Sequence, residues 1–211
     1  MYKLILFDFD GVIADTFEFC YAIRAKYNPG ITRKQYLNRF NGNIYKAERK
    51  NSVHTKPGNA EFFRLYKPEL NKQKPISGMS KVIAEAAKKY KLYIISSTDA
   101  VIIEQFLRKH GLLGYFKKVL GYRESLSKVV KINRVLKAVG AKPSEAVFVT
   151  DTLGDMLEAK ERGVKSIAVT WGYHSKAVLR SGQPKYIVRT PGELGKKINE
   201  MNDSDDRIVN Y

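Results

Sequence analysis

Five short apolar runs recur along the chain, and segments with helical spacing separate the last four. The runs are Lys3–Phe9 (KLILFDF), Leu92–Ser96 (LYIIS), Lys118–Tyr122 (KVLGY), Ala146–Thr150 (AVFVT) and Ser166–Thr170 (SIAVT), each about the length of an average strand. The intervening helices are expected over Met79–Tyr90, Ala100–His110, Ser127–Val139 and Leu153–Arg162; the last three stop just before Gly111, Gly140 and Gly163. Strands that alternate with helices in this way form a parallel sheet covered on both faces. A short strand at Tyr186–Val188 and a helix from Thr190–Pro191 complete the pattern, and Asn202–Asp206 reads as a polar tail.

Residues 15–75 break the alternation. They hold helical stretches at Thr16–Tyr27, Thr32–Phe40 and Ala60–Tyr66, separated by Asn-Pro-Gly, Asn-Gly-Asn and Lys-Pro-Gly-Asn turns. The expected organisation is an α/β core over 1–14 and 76–211, with a small helical domain, 15–75, inserted after the first strand.

Ligands of an open parallel sheet bind beyond the carboxyl ends of its strands, where strand order reverses. The first run delivers Asp8 and Asp10 to that edge, and Ala146–Thr150 delivers Asp151 with Asp155 four residues on. If those two strands are neighbours, their carboxylates converge, and acids crowded together repel unless a cation sits among them. Hard oxygen donors of this kind suit Mg²⁺. Ser96 and Ser97 close the second strand, where hydroxyls and free backbone N–H groups can hold phosphate oxygens, and Lys128 opens a later helix as a source of positive charge.

With these residues in view the sequence resembles the haloacid dehalogenase superfamily of phosphatases and phosphomutases. Its first motif stands as Asp8-Phe9-Asp10-Gly11-Val12, its second as Ser96 in Ile94-Ile95-Ser96-Ser97, its third as Lys128, and its fourth as Asp151 and Asp155 in Val149-Thr150-Asp151-Thr152-Leu153-Gly154-Asp155. The resemblance covers residues 1–14 and about 76–190. It implies a Rossmann-like three-layer core with strand order 5-4-1-2-3, and it identifies the insertion as a C1 cap like that of the phosphoglycolate phosphatase and β-phosphoglucomutase group.

The roles it implies follow motif by motif. Asp8 is the nucleophile and becomes an aspartyl phosphate, while Asp10 is the general acid and base. Asp8, Asp151 and the backbone carbonyl of Asp10 hold Mg²⁺, with Asp155 helping directly or through water. Ser96 and Ser97 bind phosphate, and Lys128 orients Asp8. The expected activity is a phosphatase acting on a small phosphorylated metabolite such as a sugar phosphate, phosphoglycolate or a nucleotide. A phosphomutase sharing the same core is the alternative.

Charge raises a second alternative. The net charge is +17, and residues 16–75 hold 13 Lys or Arg against 4 Asp or Glu. Tyr21, Tyr27, Tyr36 and Tyr45 lie among these cations, a composition that also suits single-stranded nucleic acid, although no recognised nucleic-acid motif accompanies it. The cap cations Arg24, Lys26, Arg33, Lys34, Arg39, Lys46, Arg49 and Lys50 are expected mainly on a solvated face, with one or two reaching substrate.

The remaining features read as structural. His54, His110 and His174 lack metal-ligand spacing, and Trp171-Gly172-Tyr173 reads as a loop packed over the core. A lone cysteine, Cys20, excludes an intrachain disulfide and is expected to be buried. Asp8 and Asp10 sit where the apolar core of a signal peptide would lie, and no run approaches the roughly 18 apolar residues of a membrane span. The expected location is the cytoplasm, with no membrane contact; the oligomeric state is left open.

Overall fold

The computed structural model describes residues 1–45 and 59–203. Its centre is a six-stranded, wholly parallel sheet formed by β1 (Leu4–Phe7), β2 (Lys91–Ile95), β3 (Phe116–Leu120), β4 (Ala146–Thr150), β5 (Lys165–Val169) and β6 (Tyr186–Val188). The strand order is β3-β2-β1-β4-β5-β6. The expected five-strand order is thus extended, because Tyr186–Val188 pairs along β5 and occupies that edge. β1 lies between β2 and β4, with Phe7 opposite both Ile94 and Val149. The chain therefore leaves β1 and β4 side by side at their carboxyl ends.

Every residue of β1 is buried, which is why Leu-Ile-Leu-Phe shows no polar alternation. Ile5 and Phe7 face one layer, built from α4 (Met79–Lys89), α5 (Ala100–Lys109) and α9 (Pro191–Asp203). Leu4 and Leu6 face the other, built from α6 (Lys128–Val139) and α7 (Leu153–Glu161). Each helix covers the sheet with a stripe at helical spacing, such as Met79, Val82, Ile83 and Ala86 on α4. Fully burying one such large side chain contributes about 1.5–3 kcal/mol. A short helix, α8 (Lys176–Ser181), follows β5.

Some boundaries differ from the sequence expectation. β3 begins at Phe116 rather than Lys118, because on this edge strand Lys117 and Lys118 are exposed while Phe116, Val119 and Leu120 turn inward. Gly78, at φ +90°, immediately precedes α4.

Between Ala14 and Pro75 run α1 (Phe17–Tyr27), α2 (Arg33–Asn38) and α3 (Asn59–Lys72). The helix expected at Ala60–Tyr66 continues through Pro68, which lies on an exposed face and forgoes one intrahelical N–H donor. Ala14 and Pro75 form an antiparallel bridge, and the Ile76 N–H donates to the Ile13 carbonyl at 2.8 Å, so both ends of the segment are tied together beside β1. Cys20, Ile23, Tyr36, Phe63, Tyr66 and Leu70 from this segment join the same apolar cluster as Ile5 and Phe7.

Candidate active site

The residues just past β1 and β4 meet as the topology requires. Carboxylate oxygens of Asp8, Asp151 and Asp155 all lie within 4.8 Å of one another, and all three residues are buried. Asp8 follows β1 directly, its Oδ1 accepting the Phe9 N–H at 2.8 Å. Asp151 follows β4, and Asp155 sits in the first turn of α7. Lys128 opens α6 on the stripe Lys128, Lys131, Ile132, Val135, Leu136, so helical spacing aims its side chain at the sheet. Its Nζ lies 2.9 Å from Asp8 Oδ2 and 2.7 Å from Asp155 Oδ2.

Electrostatics divides the acids. Burial would raise Asp155, but the Lys128 charge and the hydrogen bonds that the Asp155 carboxylate accepts, including one from the Thr150 hydroxyl at 2.8 Å, hold it below the ordinary carboxylate value. Asp8 shares the same ammonium and gains less, so burial and the repulsion of Asp155 push it well up. Burial also raises Asp151, to about 7, against the Tyr173 N–H that bonds its Oδ2 at 2.7 Å. For Lys128 burial acts downward, yet Asp155 and Asp8 outweigh it and keep the ammonium firmly protonated.

The cluster is short of positive charge. Asp151 Oδ1 is buried without a hydrogen-bond partner, an arrangement that ordinarily costs about 1–3 kcal/mol or more for a charged group. Three hard oxygen donors around an orphaned carboxylate oxygen fit a divalent cation. The backbone keeps the space open. Gly11 has φ +72°, and a Cβ there would fall 2.0 Å from Asp151 Oδ2; a Cβ on Gly172 would fall 2.2 Å from the same atom.

Asp10 stands apart from this trio. Its Oδ1 accepts from the Tyr66 hydroxyl at 2.6 Å and its Oδ2 from the Thr98 hydroxyl at 2.7 Å. Burial first, then the Asp10 charge, push the Tyr66 phenol well above its usual range, so it remains an O–H donor. Ser96 is fully buried, and its hydroxyl accepts the Thr98 N–H at 3.0 Å, closing the turn after β2. Ser97 lines the cavity over Asp8 together with Asp10, Thr98, Lys128 and Asp155. That cavity encloses about 110 Å³, and Arg24, Arg39, Phe40, Tyr45 and Phe62 from the segment between Ala14 and Pro75 form its other side.

Several participants carry no local sequence signal. Glu158 Oε1 accepts the Lys128 N–H at 2.9 Å, the Ser127 hydroxyl at 3.2 Å and the Asn43 side-chain amide at 2.9 Å. Lys131, fully buried, donates from Nζ to the carbonyls of Ser96 and Gly121. The Trp171-Gly172-Tyr173 loop packs over the core as expected and, beyond that, grips Asp151 through the Tyr173 N–H. Cys20 is buried with its thiol pushed up, by burial above all. Lys46, Arg49, Lys50 and His54 lie outside the described residues.

The sequence profile of the haloacid dehalogenase-like hydrolases matches residues 5–169, a span that begins in β1 and includes all four acids and Lys128. The chain belongs to the haloacid dehalogenase-like hydrolase family. It is similar to phosphoglycolate phosphatase of Vibrio vulnificus, with 23% identity across 91% of this chain and 94% of that protein. Phosphoglycolate phosphatase of Synechococcus elongatus is 29% identical over a stretch covering 52% of each, so the chain spans about half the length of that relative. Among solved structures, a predicted phosphatase from Clostridium acetobutylicum shares the fold with a TM-score of 0.76 at 22% identity, covering 95% of this chain and 100% of that one. No helix among the described residues is long and apolar enough to cross a membrane.

Proposed function

We propose that the protein is a Mg²⁺-dependent phosphatase that hydrolyses a small phosphate monoester through an aspartyl phosphate on Asp8. The observation that carries this reading is the convergence of Asp8, Asp151 and Asp155 on one point, with Lys128 between two of them and a buried Asp151 oxygen without a partner. The relatives named above point the same way.

In this reading an Asp8 oxygen attacks phosphorus in line, and the bond from phosphorus to the ester oxygen breaks. Asp10 donates a proton to the departing oxygen. As a carboxylate, Asp10 then takes a proton from the water that attacks the phosphorus of the aspartyl phosphate, releasing inorganic phosphate and free Asp8. Lys128 holds Asp8 and offsets the charge that accumulates on the phosphoryl group. The Ser97 and Thr98 region, braced by Ser96, offers donors to the phosphoryl oxygens. Mg²⁺ would be held by Asp8, Asp151, Asp155 and the Asp10 backbone carbonyl, and when bound it screens the repulsion between nucleophile and phosphate.

Residues 15–75 are assigned as a cap domain on a core of residues 1–14 and 76–211. A cavity of about 110 Å³ suits a small ester, and among the described residues Arg24 and Arg39 are cap cations on its wall. Of the four tyrosines that raise the nucleic-acid alternative, Tyr36 is buried and offers no ring face for stacking.

The test is turnover of p-nitrophenyl phosphate. Asp8→Asn is expected to abolish it, and EDTA is expected to abolish it until Mg²⁺ is restored. Turnover that survives either treatment would overturn the mechanism. A panel of phosphorylated metabolites assayed for released phosphate then identifies the substrate.

A further inference from the structure

We propose that Tyr66 is a positioning residue for the acid–base group: its hydroxyl, delivered by α3, aims the Asp10 carboxylate at the leaving oxygen. The inference rests on the phosphatase reading above, and it concerns a contact outside the four motifs.

The geometry is two-sided. Asp10 has two carboxylate oxygens, and each accepts one short O–H···O bond, Oδ1 from Tyr66 at 2.6 Å and Oδ2 from Thr98 at 2.7 Å. Hydroxyl bonds to a carboxylate at this length are among the stronger kinds in proteins. A carboxylate held at one oxygen can still swing about its Cβ–Cγ bond; one held at both cannot. Thr98 belongs to the turn after β2, whereas Tyr66 belongs to the segment that leaves the sheet at Ala14 and returns at Pro75. The clamp on Asp10 is therefore complete only while α3 lies against the site.

Tyr66 is built to hold its place. It is fully buried, and the rings of Phe19, Phe62 and Phe63 surround it at centroid separations of 5.3, 5.8 and 6.1 Å. The nucleophile Asp8 is held by different groups, Lys128 and the Phe9 N–H, so loss of the Tyr66 hydroxyl leaves its contacts in place.

This assigns Tyr66 an effect that depends on the leaving group. A nitrophenolate departs without a proton, whereas an alkoxide needs one in the transition state. The experiment compares kcat/KM for p-nitrophenyl phosphate, phenyl phosphate and a simple alkyl phosphate in the wild type, Tyr66→Phe, Tyr66→Met and Asp8→Asn, with heat-unfolding midpoints recorded for each. That ratio reports the steps up to phosphoryl transfer to Asp8 and not the hydrolysis common to all esters. Tyr66→Phe keeps the ring and its packing. It is expected to lose about 10- to 100-fold on the alkyl ester and no more than about 3-fold on the nitrophenyl ester, part of the general-acid contribution. Tyr66→Met, which removes the hydroxyl with another apolar side chain, is expected to tilt the series in the same sense, which keeps the test available should Tyr66→Phe fold poorly. Equal losses on all three esters, or none, would overturn the inference. Asp8→Asn separates the two readings: if it is inactive while Tyr66→Phe acts uniformly, only the role of Tyr66 fails, and if it stays active, the phosphatase mechanism fails.

Discussion

Lys131 brings an ammonium into the interior and meets two carbonyls there rather than a carboxylate. Its Nζ bonds the Ser96 and Gly121 carbonyls, drawing in the backbone just past β2 and β3. Burial, reinforced by the charge of Lys128, lowers its pKa from 10.5 to about 8. The sign of the pH effect follows from that depression. Below about 8 both folded and unfolded chains carry the proton, and the folded state bears the whole cost of a desolvated charge. Between about 8 and 10.5 the unfolded chain holds the proton more tightly, so this group's contribution to stability improves as pH rises. Urea unfolding of the wild type and Lys131→Met at pH 7 and pH 10 isolates the term, since other groups cancel in the difference. The wild type is expected to gain about 2 kcal/mol on the variant over that interval; parallel pH dependence in the two proteins would contradict the assignment.

At the scale of elements, α7 completes α6. No side chain of Ser127 caps α6, and the N–H of its first residue, Lys128, is met instead by Glu158 from α7. The same oxygen takes Asn43, so one carboxylate joins the start of the lysine-bearing helix to the segment leading out of α2. Glu158→Ala is expected to destabilise the fold by about 1–2 kcal/mol, the usual worth of a lost helix cap. It should also lower kcat by loosening Lys128, both effects being read from chemical denaturation and p-nitrophenyl phosphate turnover on the same preparation. Glu158 also marks where sequence reasoning runs out. Asp8, Asp10, Asp151 and Asp155 were legible because they follow apolar strands, where an acid has little structural use, and strand alternation fixes which edge they share. Glu158, Tyr66 and Lys131 sit at ordinary buried spacing within helices, and only tertiary packing turns that spacing into contact with the site. Thr98 had a faint signal, the hydroxyl run Ser96-Ser97-Thr98 after β2. The sixth strand was legible as a strand, whereas its pairing at the β5 edge belongs to the topology.

Across the whole molecule, the stretch from Leu37 to Tyr45 is fastened over the acids by contacts from several core elements. The Gly154 N–H donates to the Phe40 carbonyl at 2.8 Å, Asn43 reaches the Leu126 carbonyl and Glu158, and the Tyr45 hydroxyl reaches the Ser97 carbonyl. His174 adds a contact of a different kind. Its Nδ1 accepts the Leu153 N–H at 3.0 Å, which leaves the proton on Nε2, 3.1 Å from the Leu37 carbonyl to which it donates. Only the neutral ring can serve both sides, because a second proton on Nδ1 would face an N–H donor. Burial accordingly lowers the pKa of His174 below 6.5. A histidine depressed in the docked state contributes fully above about 6.5, and that contribution declines as pH falls toward its folded value, because the undocked ring takes up the proton first. Hydrogen exchange of residues 37–45, corrected for intrinsic rates, is therefore expected to accelerate from pH 7 to pH 5.5 in the wild type. In His174→Gln the same residues should exchange faster at pH 7 and show little further change on acidification. Protection in the wild type that is flat across this range would mean that His174 merely fills space, and that the remaining hydrogen bonds alone hold the segment over Asp8.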